Sequence, residues 1–158
     1  MAIDLSALLD RGTILLESSC GSRKQALVRL SGALGEKLSM DERAIYDAVM
    51  EREQLGSTGV GEGVAIPHAR LSKLDMPVGG LMKLSEGVDF DAVDEQPCDL
   101  IFMLLAPVTA GADHLRALAQ VSRAFRKPEI RAALRGAGDA KTLRNILCPE
   151  GSKTASAA

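Results

Sequence analysis

Aromatic residues are scarce in this sequence, whose 158 residues include three Phe, one Tyr and no Trp. The core of the folded chain must therefore be aliphatic. The scarcity also argues against the stacking platforms on which proteins hold single-stranded nucleic acids. Charge points the same way, because a formal net charge of -2 lacks the basic excess typical of proteins that bind nucleic acids or membrane surfaces. No nucleic-acid partner is expected.

Cysteine and long apolar runs are also in short supply. Cys20, Cys98 and Cys148 are far apart and form no C-x-x-C motif, which favours thiols in a reducing compartment over a disulfide framework. With two histidines in the chain, a zinc site lacks suitably spaced ligands. The start has no basic n-region, and the longest apolar stretch, "LIFMLLAPV", is too short to span a bilayer. We expect a soluble, cytoplasmic protein without membrane insertion, metal or other cofactor.

The first half of the chain carries two helical patterns. Apolar residues recur at helical spacing from Ser22 to Leu38, and "SRKQ" at the start of this range predicts a capping box. The segment "SMDE" at 39–42 predicts a second capping box, which opens a helix that stops near Gly56. Beyond it, "GVAI" predicts a short strand that runs into Pro67.

Two strands and three helices are predicted in the second half. The strands are "VGGLMKL" (78–84) and "DLIFMLLA" (99–106), and the latter is apolar on both faces, as a central strand covered by helices is. The helices begin at an Asp113 N-cap, at Pro128 in a first turn and at an Asp139 N-cap.

Further detail is predicted within these helices. Gly136 is expected to cap the second of them, and the third to run to Leu147. The first is expected to bury one stripe of side chains, formed by Leu115, Leu118, Ser122 and Phe125.

Strands interleaved with helices predict an α/β sandwich, a mixed sheet flanked by helices, in a single domain. The domain is expected to span residues 1–148. Residues 149–158 are small and polar, and they are predicted to form a disordered tail.

The glycine-rich stretch "GSTGVGEGVAIPHAR", residues 56–70, is the most unusual part of the sequence. Pro67 fixes its own φ and holds Ile66 extended, so His68 follows the predicted strand on a stiff backbone. The alternating glycines leave one face of the segment bare, and such a face lets another chain or an anion approach the backbone N–H groups. The sequence therefore predicts a fixed imidazole beside an open surface.

An imidazole in this setting is open to four roles: general base, metal ligand, phosphoryl acceptor or structural residue. Near neutral pH it offers an uncharged, nucleophilic nitrogen. Phosphoryl transfer also needs donors that offset charge on the phosphoryl oxygens. Arg52, on the helix before the glycines, and His114, after the central strand, are the candidates. The position of Arg52 is equally consistent with an ordinary solvent-exposed helix residue. That of His114 is equally consistent with an exposed residue in the first turn of a helix.

Other motifs do not decide between these roles. The glycines match neither a P-loop nor a dinucleotide-binding fingerprint, and the chain has no G-x-S-x-G elbow of a serine hydrolase. Residue spacing alone leaves the function open.

Two segments, "EREQLGSTGVGEGVAIPHAR" and "APVTAGADHLRALAQVSR", closely resemble the enzyme IIA proteins of the bacterial phosphotransferase system, in the mannitol/fructose class. The match is nearest to the nitrogen-regulatory branch and covers roughly residues 3 to 148. The resemblance implies an α/β sandwich with a mixed sheet. It also implies that His68 accepts phosphate from a histidine-containing phosphocarrier protein, that Arg52 neutralises the phosphoryl group, and that His114 is the second active-centre histidine.

The nitrogen-regulatory branch implies a regulatory purpose. In that branch the phosphorylation state controls binding to targets such as potassium-transport proteins and sensor kinases, and the protein is a phosphotransferase in the broad sense of being transiently phosphorylated on histidine. The sequence has no IIB-like segment and no transmembrane helix, which favours regulation. Two rivals stay open: a sugar-specific IIA component that passes phosphate to a IIB unit, and a non-catalytic binding module of the same fold.

Overall fold

A computed structural model describes residues 3–17, 19–109 and 111–149 of the chain. Within these residues one six-stranded sheet is flanked by helices. The strands are β1 (Thr13–Glu17), β2 (Gly59–Gly61), β3 (Val64–Ala65), β4 (His68–Leu71), β5 (Val78–Val88) and β6 (Cys98–Pro107). The helices are α1 (Ser6–Leu9), α2 (Arg23–Leu38), α3 (Glu42–Leu55), α4 (Gly111–Arg126), α5 (Pro128–Gly136) and α6 (Ala140–Leu147).

The sheet is mixed. Its strand order is β1-β5-β6-β3-β2, and β4 also pairs with β6. The pairs β1–β5, β3–β6 and β4–β6 are parallel, whereas β5–β6 and β2–β3 are antiparallel. The predicted α/β sandwich with a mixed sheet flanked by helices is confirmed.

Strand β6 is the centre of the fold, as its apolar sequence predicts. Alternate side chains of a strand point to opposite faces, and here both faces are buried. One face joins the cluster formed with α2 and α3, through Ile101, Met103 and Leu105. The other joins the cluster formed with α1, α4, α5 and α6, through Leu100, Phe102 and Leu104. Burial of each such side chain stabilises the fold by about 1.5–3 kcal/mol. Strand β6 is therefore a rigid support for the strands that pair with it.

Several predicted helix boundaries are confirmed. The Ser22 hydroxyl oxygen accepts a hydrogen bond from the Gln25 backbone N–H at 3.2 Å and caps α2. Pro128 begins α5. An Asp139 carboxylate oxygen accepts from the Thr142 backbone N–H at 2.7 Å and caps α6.

Two predicted helix starts and one predicted end are wrong. Ser39 does not cap α3; it ends α2 in the left-handed conformation, with φ 55°. The α3 cap is Asp41, which accepts from the Arg43 backbone N–H at 3.0 Å. Asp113 lies in the first turn of α4, which begins two residues earlier, and Gly136 is still within α5, which Ala137 follows.

The predicted buried stripe of α4 is confirmed toward the end of the helix and wrong at its start. Phe125 is buried and Leu118 packs against the same cluster. Leu115 is 64% exposed, whereas His114 and Ala117 on either side of it are buried. Apolar spacing alone does not fix which of two neighbouring stripes faces the core when both contain apolar residues.

The predicted strands also differ in length from the observed ones. Strand β5 extends to Val88, while the predicted "GVAI" strand is shorter and forms only β3.

Over the described residues, no helix is both long and apolar enough to cross a membrane. The domain limits stay a prediction, and the predicted tail lies outside the described residues except for Pro149.

Candidate functional site

A cleft of about 400 Å³ lies where the last turns of α3, strand β4 and the first turn of α4 meet. It brings together all three residues singled out in the sequence, Arg52, His68 and His114. Glu51, Leu55 and Arg70 also line it.

Pairing with β6 fixes the backbone that carries His68. Strand β3 ends before Pro67, which has no N–H to donate, but the Pro67 carbonyl oxygen accepts a hydrogen bond from the Leu104 N–H at 2.9 Å. Strand β4 then resumes the parallel pairing, with His68 opposite Leu104. The imidazole is therefore attached to a strand of the sheet, at the point where two strands meet along one edge of β6.

The His68 ring is oriented by its own chain. Its Nδ1 lies 2.8 Å from the Ile66 carbonyl oxygen. A carbonyl oxygen only accepts, so Nδ1 carries the proton and donates it. In a neutral ring this leaves Nε2 unprotonated, with its lone pair available to a reactant.

The pKa of His68 lies below its usual value, first because the half-buried ring is desolvated and also because Arg52 is close. The Ile66 hydrogen bond and the Glu53 charge act in the opposite direction. The net effect favours the neutral ring, which is the nucleophilic form.

His114 is buried, with 5% of its surface exposed. Its ring centroid lies 5.7 Å from that of His68, and the ring planes are inclined by 49°. The pKa of His114 is lowered by burial, and further by His68 and Arg70. Both imidazoles are thus held toward the uncharged state.

The two ring nitrogens of His114 differ in their surroundings. Its Nδ1 is buried and has no hydrogen-bond partner among the described residues. A buried N–H without an acceptor is rarer than an under-satisfied acceptor. We therefore place the proton of the neutral ring on Nε2.

Arg52 stands in the last turn of α3 and is anchored there. Its Nη1 donates to the Gly56 carbonyl oxygen at 3.0 Å. Sequence reasoning placed this residue near His68 by proximity along the chain, and the structure places both in the same cleft.

Glu53 has a structural importance that sequence reasoning missed. The residue is 4% exposed, and its carboxylate accepts from the Thr58 hydroxyl at 2.6 Å and the Thr58 N–H at 3.1 Å. Arg23 Nη1 lies 3.3 Å from the same carboxylate. These bonds tie the start of the glycine-rich segment to α3. A glutamate among charged helix neighbours gives no sequence signal that it is buried.

The glycines of this segment do not form the bare face that the sequence predicts. Gly61, the last residue of β2, and Gly63, in the turn that leads to β3, adopt φ values of 98° and 77°, a conformation that favours glycine. A Cβ at Gly59 would lie 2.8 Å from Ala92 Cβ, and one at Gly63 would overlap Arg135 Nη2. The missing side chains therefore serve a turn and close packing within this chain.

Arg70 is the second residue that sequence reasoning missed. It is exposed, lies two positions after His68 on β4 and lines the cleft. The period-2 alternation of a strand would have placed both side chains on one face, but no local pattern of residues indicates that a strand begins at His68. Within the described residues, no group of three or more His, Cys, Asp or Glu side chains is arranged to hold a metal ion.

Comparison with known proteins adds an independent line of observation. The family described as "Phosphoenolpyruvate-dependent sugar phosphotransferase system, EIIA 2" matches residues 7–148. A nitrogen regulatory protein of Bradyrhizobium diazoefficiens is 44% identical over 134 residues, which cover 85% of this chain and 88% of that relative. A fructose-specific EIIA component from Haloferax volcanii is 34% identical over 145 residues, which cover 91% of this chain and 94% of the relative.

A solved structure agrees with the sequence comparisons. The crystal structure of the nitrogen regulatory protein IIA-Ntr from Neisseria meningitidis matches with a TM-score of 0.84 and 34% sequence identity. The match covers 90% of this chain and 98% of that one.

Proposed function

This chain belongs to the EIIA 2 family of the phosphoenolpyruvate-dependent sugar phosphotransferase system, and within it we propose that the chain is a phosphoryl-accepting regulatory protein. His68 is the acceptor, and the donor is a histidine-containing phosphocarrier protein. The observation that carries this proposal is the His68 ring itself, whose Nδ1 is engaged by the Ile66 carbonyl at 2.8 Å while its Nε2 is left to a reactant in the cleft.

The transfer exchanges one N–P bond for another. The Nε2 lone pair of neutral His68 attacks the phosphorus of the donor phosphohistidine, and the donor's N–P bond breaks with its electron pair returning to the donor imidazole. The His68 ring gains positive charge as Nε2 bonds to phosphorus. The Ile66 carbonyl oxygen, which accepts a hydrogen bond from Nδ1–H, offsets part of that charge.

Arg52 and His114 stabilise the transferred group. A guanidinium binds phosphoryl oxygens through a planar fork of N–H donors, and Arg52 is anchored beside His68 by its bond to Gly56. His114, protonated at Nε2, donates a hydrogen bond to another phosphoryl oxygen. Phosphoryl transfer needs positioning and charge stabilisation more than further covalent chemistry, and these two side chains supply both.

The rim of the cleft suits docking by another protein. Leu55, which lines the cleft, is 82% exposed, and Leu115, which follows His114 in the sequence, is 64% exposed. Exposed apolar side chains beside polar groups are typical of protein interfaces. IIA domains of this system work with phosphocarrier and IIB partners.

The regulatory role rests on the relatives named nitrogen regulatory protein, one of which is 44% identical. Phosphorylation adds a charge of about -2 to the cleft. One surface therefore has two electrostatic states, which target proteins can distinguish. The resemblance to the nitrogen-regulatory branch suggests potassium-transport proteins and sensor kinases as the targets.

Labelling tests the proposal. The purified chain is incubated with radiolabelled phosphoenolpyruvate, the first enzyme of the relay and the phosphocarrier. We expect one acid-labile phosphoryl group per chain, and none in His68→Ala, whose circular dichroism should match the wild type. A His68→Ala variant that still labels fully refutes the acceptor assignment, and a wild-type chain that never labels indicates the non-catalytic binding module.

A sugar-specific function is the second candidate, and the 34% identity to a fructose-specific EIIA component favours it. The phosphorylated chain would then pass its group to a IIB protein and on to a sugar. Incubation of the phosphorylated chain with a fructose-type IIB unit separates the two functions. Rapid loss of label to IIB supports sugar transport, and retention of label supports regulation.

A further inference from the structure

Strand geometry places Arg70 on the same side of β4 as His68. Ala69 and Leu71 are buried in the cluster formed with α2 and α3, so the alternate positions, His68 and Arg70, face away from that cluster. Two residues span about 6.6 Å along a strand. An arginine side chain is long enough to cover that separation and reach a group bound to the His68 ring.

Arg70 is also near enough to His114 for its charge to help lower the pKa of that buried ring. Arg70 thus lies two positions from His68 in the sequence, and its charge acts on His114 through space. Arg70 lines the same cleft as both.

The guanidinium of Arg70 is uncommitted. Within residues 3–17, 19–109 and 111–149 it makes no hydrogen bond or ion pair. Arg52, in contrast, is tethered to the Gly56 carbonyl oxygen. The cleft thus holds one anchored cation and one that is available to a ligand.

Charge balance indicates what that ligand is. Among the side chains that line the cleft, the formal charges of Glu51 and Arg52 cancel, and both histidines are held toward the neutral state. Arg52 alone therefore does not balance a phosphoryl group of about -2, and Arg70 is the other cationic side chain that lines the cleft. An exposed, unpaired guanidinium costs little to redirect, and its fork fits two phosphoryl oxygens at once.

We propose that Arg70 is a second phosphoryl ligand, which closes over the phosphoryl group on His68 from the β4 side and stabilises the phosphorylated state. The inference rests on His68 being the acceptor, as proposed above. Arg52 is held in the cleft by the Gly56 carbonyl oxygen before and after transfer. Arg70, in contrast, forms its contact only when the phosphoryl group is bound to His68. A contact made only with the product changes the transfer equilibrium as well as the rate.

The transfer equilibrium between donor and chain tests this directly. Arg70→Gln should lower the equilibrium constant for phosphorylation by the phosphocarrier about three- to tenfold, the range for one charge-assisted contact at a partly solvated site. Arg123→Gln is the matched control, since Arg123 is an exposed arginine on α4 outside the cleft. Its equilibrium constant should match the wild type.

A spectroscopic signature completes the test. The Nε–H signal of Arg70 in a ¹H–¹⁵N spectrum should shift and exchange more slowly with solvent when the chain is phosphorylated, while that of Arg123 stays put. If Arg70→Gln slows forward and reverse transfer equally and leaves the equilibrium constant unchanged, Arg70 contacts the donor protein instead and the proposal fails. Failure of the wild type to label removes the acceptor and this inference together, whereas normal labelling with an unaltered Arg70 equilibrium removes this inference alone.

Discussion

The rings of His68 and His114 lie 5.7 Å apart, centroid to centroid, at the mouth of a cleft that Arg52 also lines. His68 is the first residue of β4, which pairs with the central strand β6, and His114 comes from the first turn of the helix after β6. Two residues 46 positions apart in the sequence thus meet because β4 and β6 are parallel and end at the same edge.

Phosphorylation should remain efficient below the usual histidine pKa of about 6.5. The pKa of His68 is lowered, chiefly by burial, so the neutral acceptor persists as pH falls and is lost only when pH passes through the lowered value. Because Arg52 is one cause of the shift, Arg52→Gln should raise the His68 pKa toward the usual value. An NMR titration of both histidine Cε1–H signals measures this. A His68 pKa at or above 6.5 in the wild type would contradict the environment described.

His114→Gln should slow transfer without removing the acceptor. The variant changes the position of the donor that faces the cleft, and loss of a well-placed donor costs about a hundred- to a thousandfold in rate. Rapid-quench measurement of label uptake checks this, and the final stoichiometry should be unchanged. Gln120→Ala, an exposed change on the same helix, is the control. Equal rates for wild type and His114→Gln would reduce His114 to a packing residue.

Glu53→Ala should destabilise the fold by about 2–3 kcal/mol, because it leaves the buried Thr58 N–H and hydroxyl without their acceptor. Urea unfolding followed by circular dichroism measures the loss. Glu51→Ala, on the exposed side of the same helix, should change stability by less than about 0.5 kcal/mol.

A second readout separates the role of Glu53 from ordinary helix effects. Glu53 raises the pKa of His68, so Glu53→Gln should lower that pKa further. If Glu53→Ala is as stable as Glu51→Ala, the bonds to Thr58 do not hold the glycine-rich segment in place.

Gly63→Ala should be destabilising by about 2 kcal/mol, through a left-handed backbone and a steric overlap. The residue has φ 77°, and an added Cβ would meet the Arg135 guanidinium, which binds Asp99 through Nη2 at 2.9 Å. Gly136→Ala is the control, since a Cβ there has no atom within 4 Å. Thermal unfolding of both variants tests this prediction. Equal unfolding midpoints for Gly63→Ala and Gly136→Ala would show that the β2–β3 turn tolerates a side chain.

Local signals were enough to predict much of the fold. The cap at Ser22, the proline at the start of α5 and the doubly apolar sequence of β6 each act within a few residues. Those features therefore appear in the sequence as short patterns, and the mixed α/β sandwich follows from their order.

The missed features depend on distant partners. Strand β4 is four residues long and exists because it pairs with β6. The burial of Glu53 depends on Thr58 and Arg23 closing over it. The phase of α4, which buries His114 and exposes Leu115, is set by the sheet beneath it. None of these partners can be read from neighbouring residues.

The parallel pairing of β4 with β6 has a consequence for how phosphate travels. The ring of the proposed acceptor lies on β4, whose backbone is paired with the buried central strand β6, so it cannot swing outward on a flexible arm to reach the donor. The donor protein must therefore dock so that its phosphohistidine lies within bonding distance of the immobile His68 ring. The rate of phosphoryl transfer in the proposed relay should therefore depend on how fast and how tightly the two proteins associate. A small phosphorylated metabolite, which has no surface to dock, should be a poor donor.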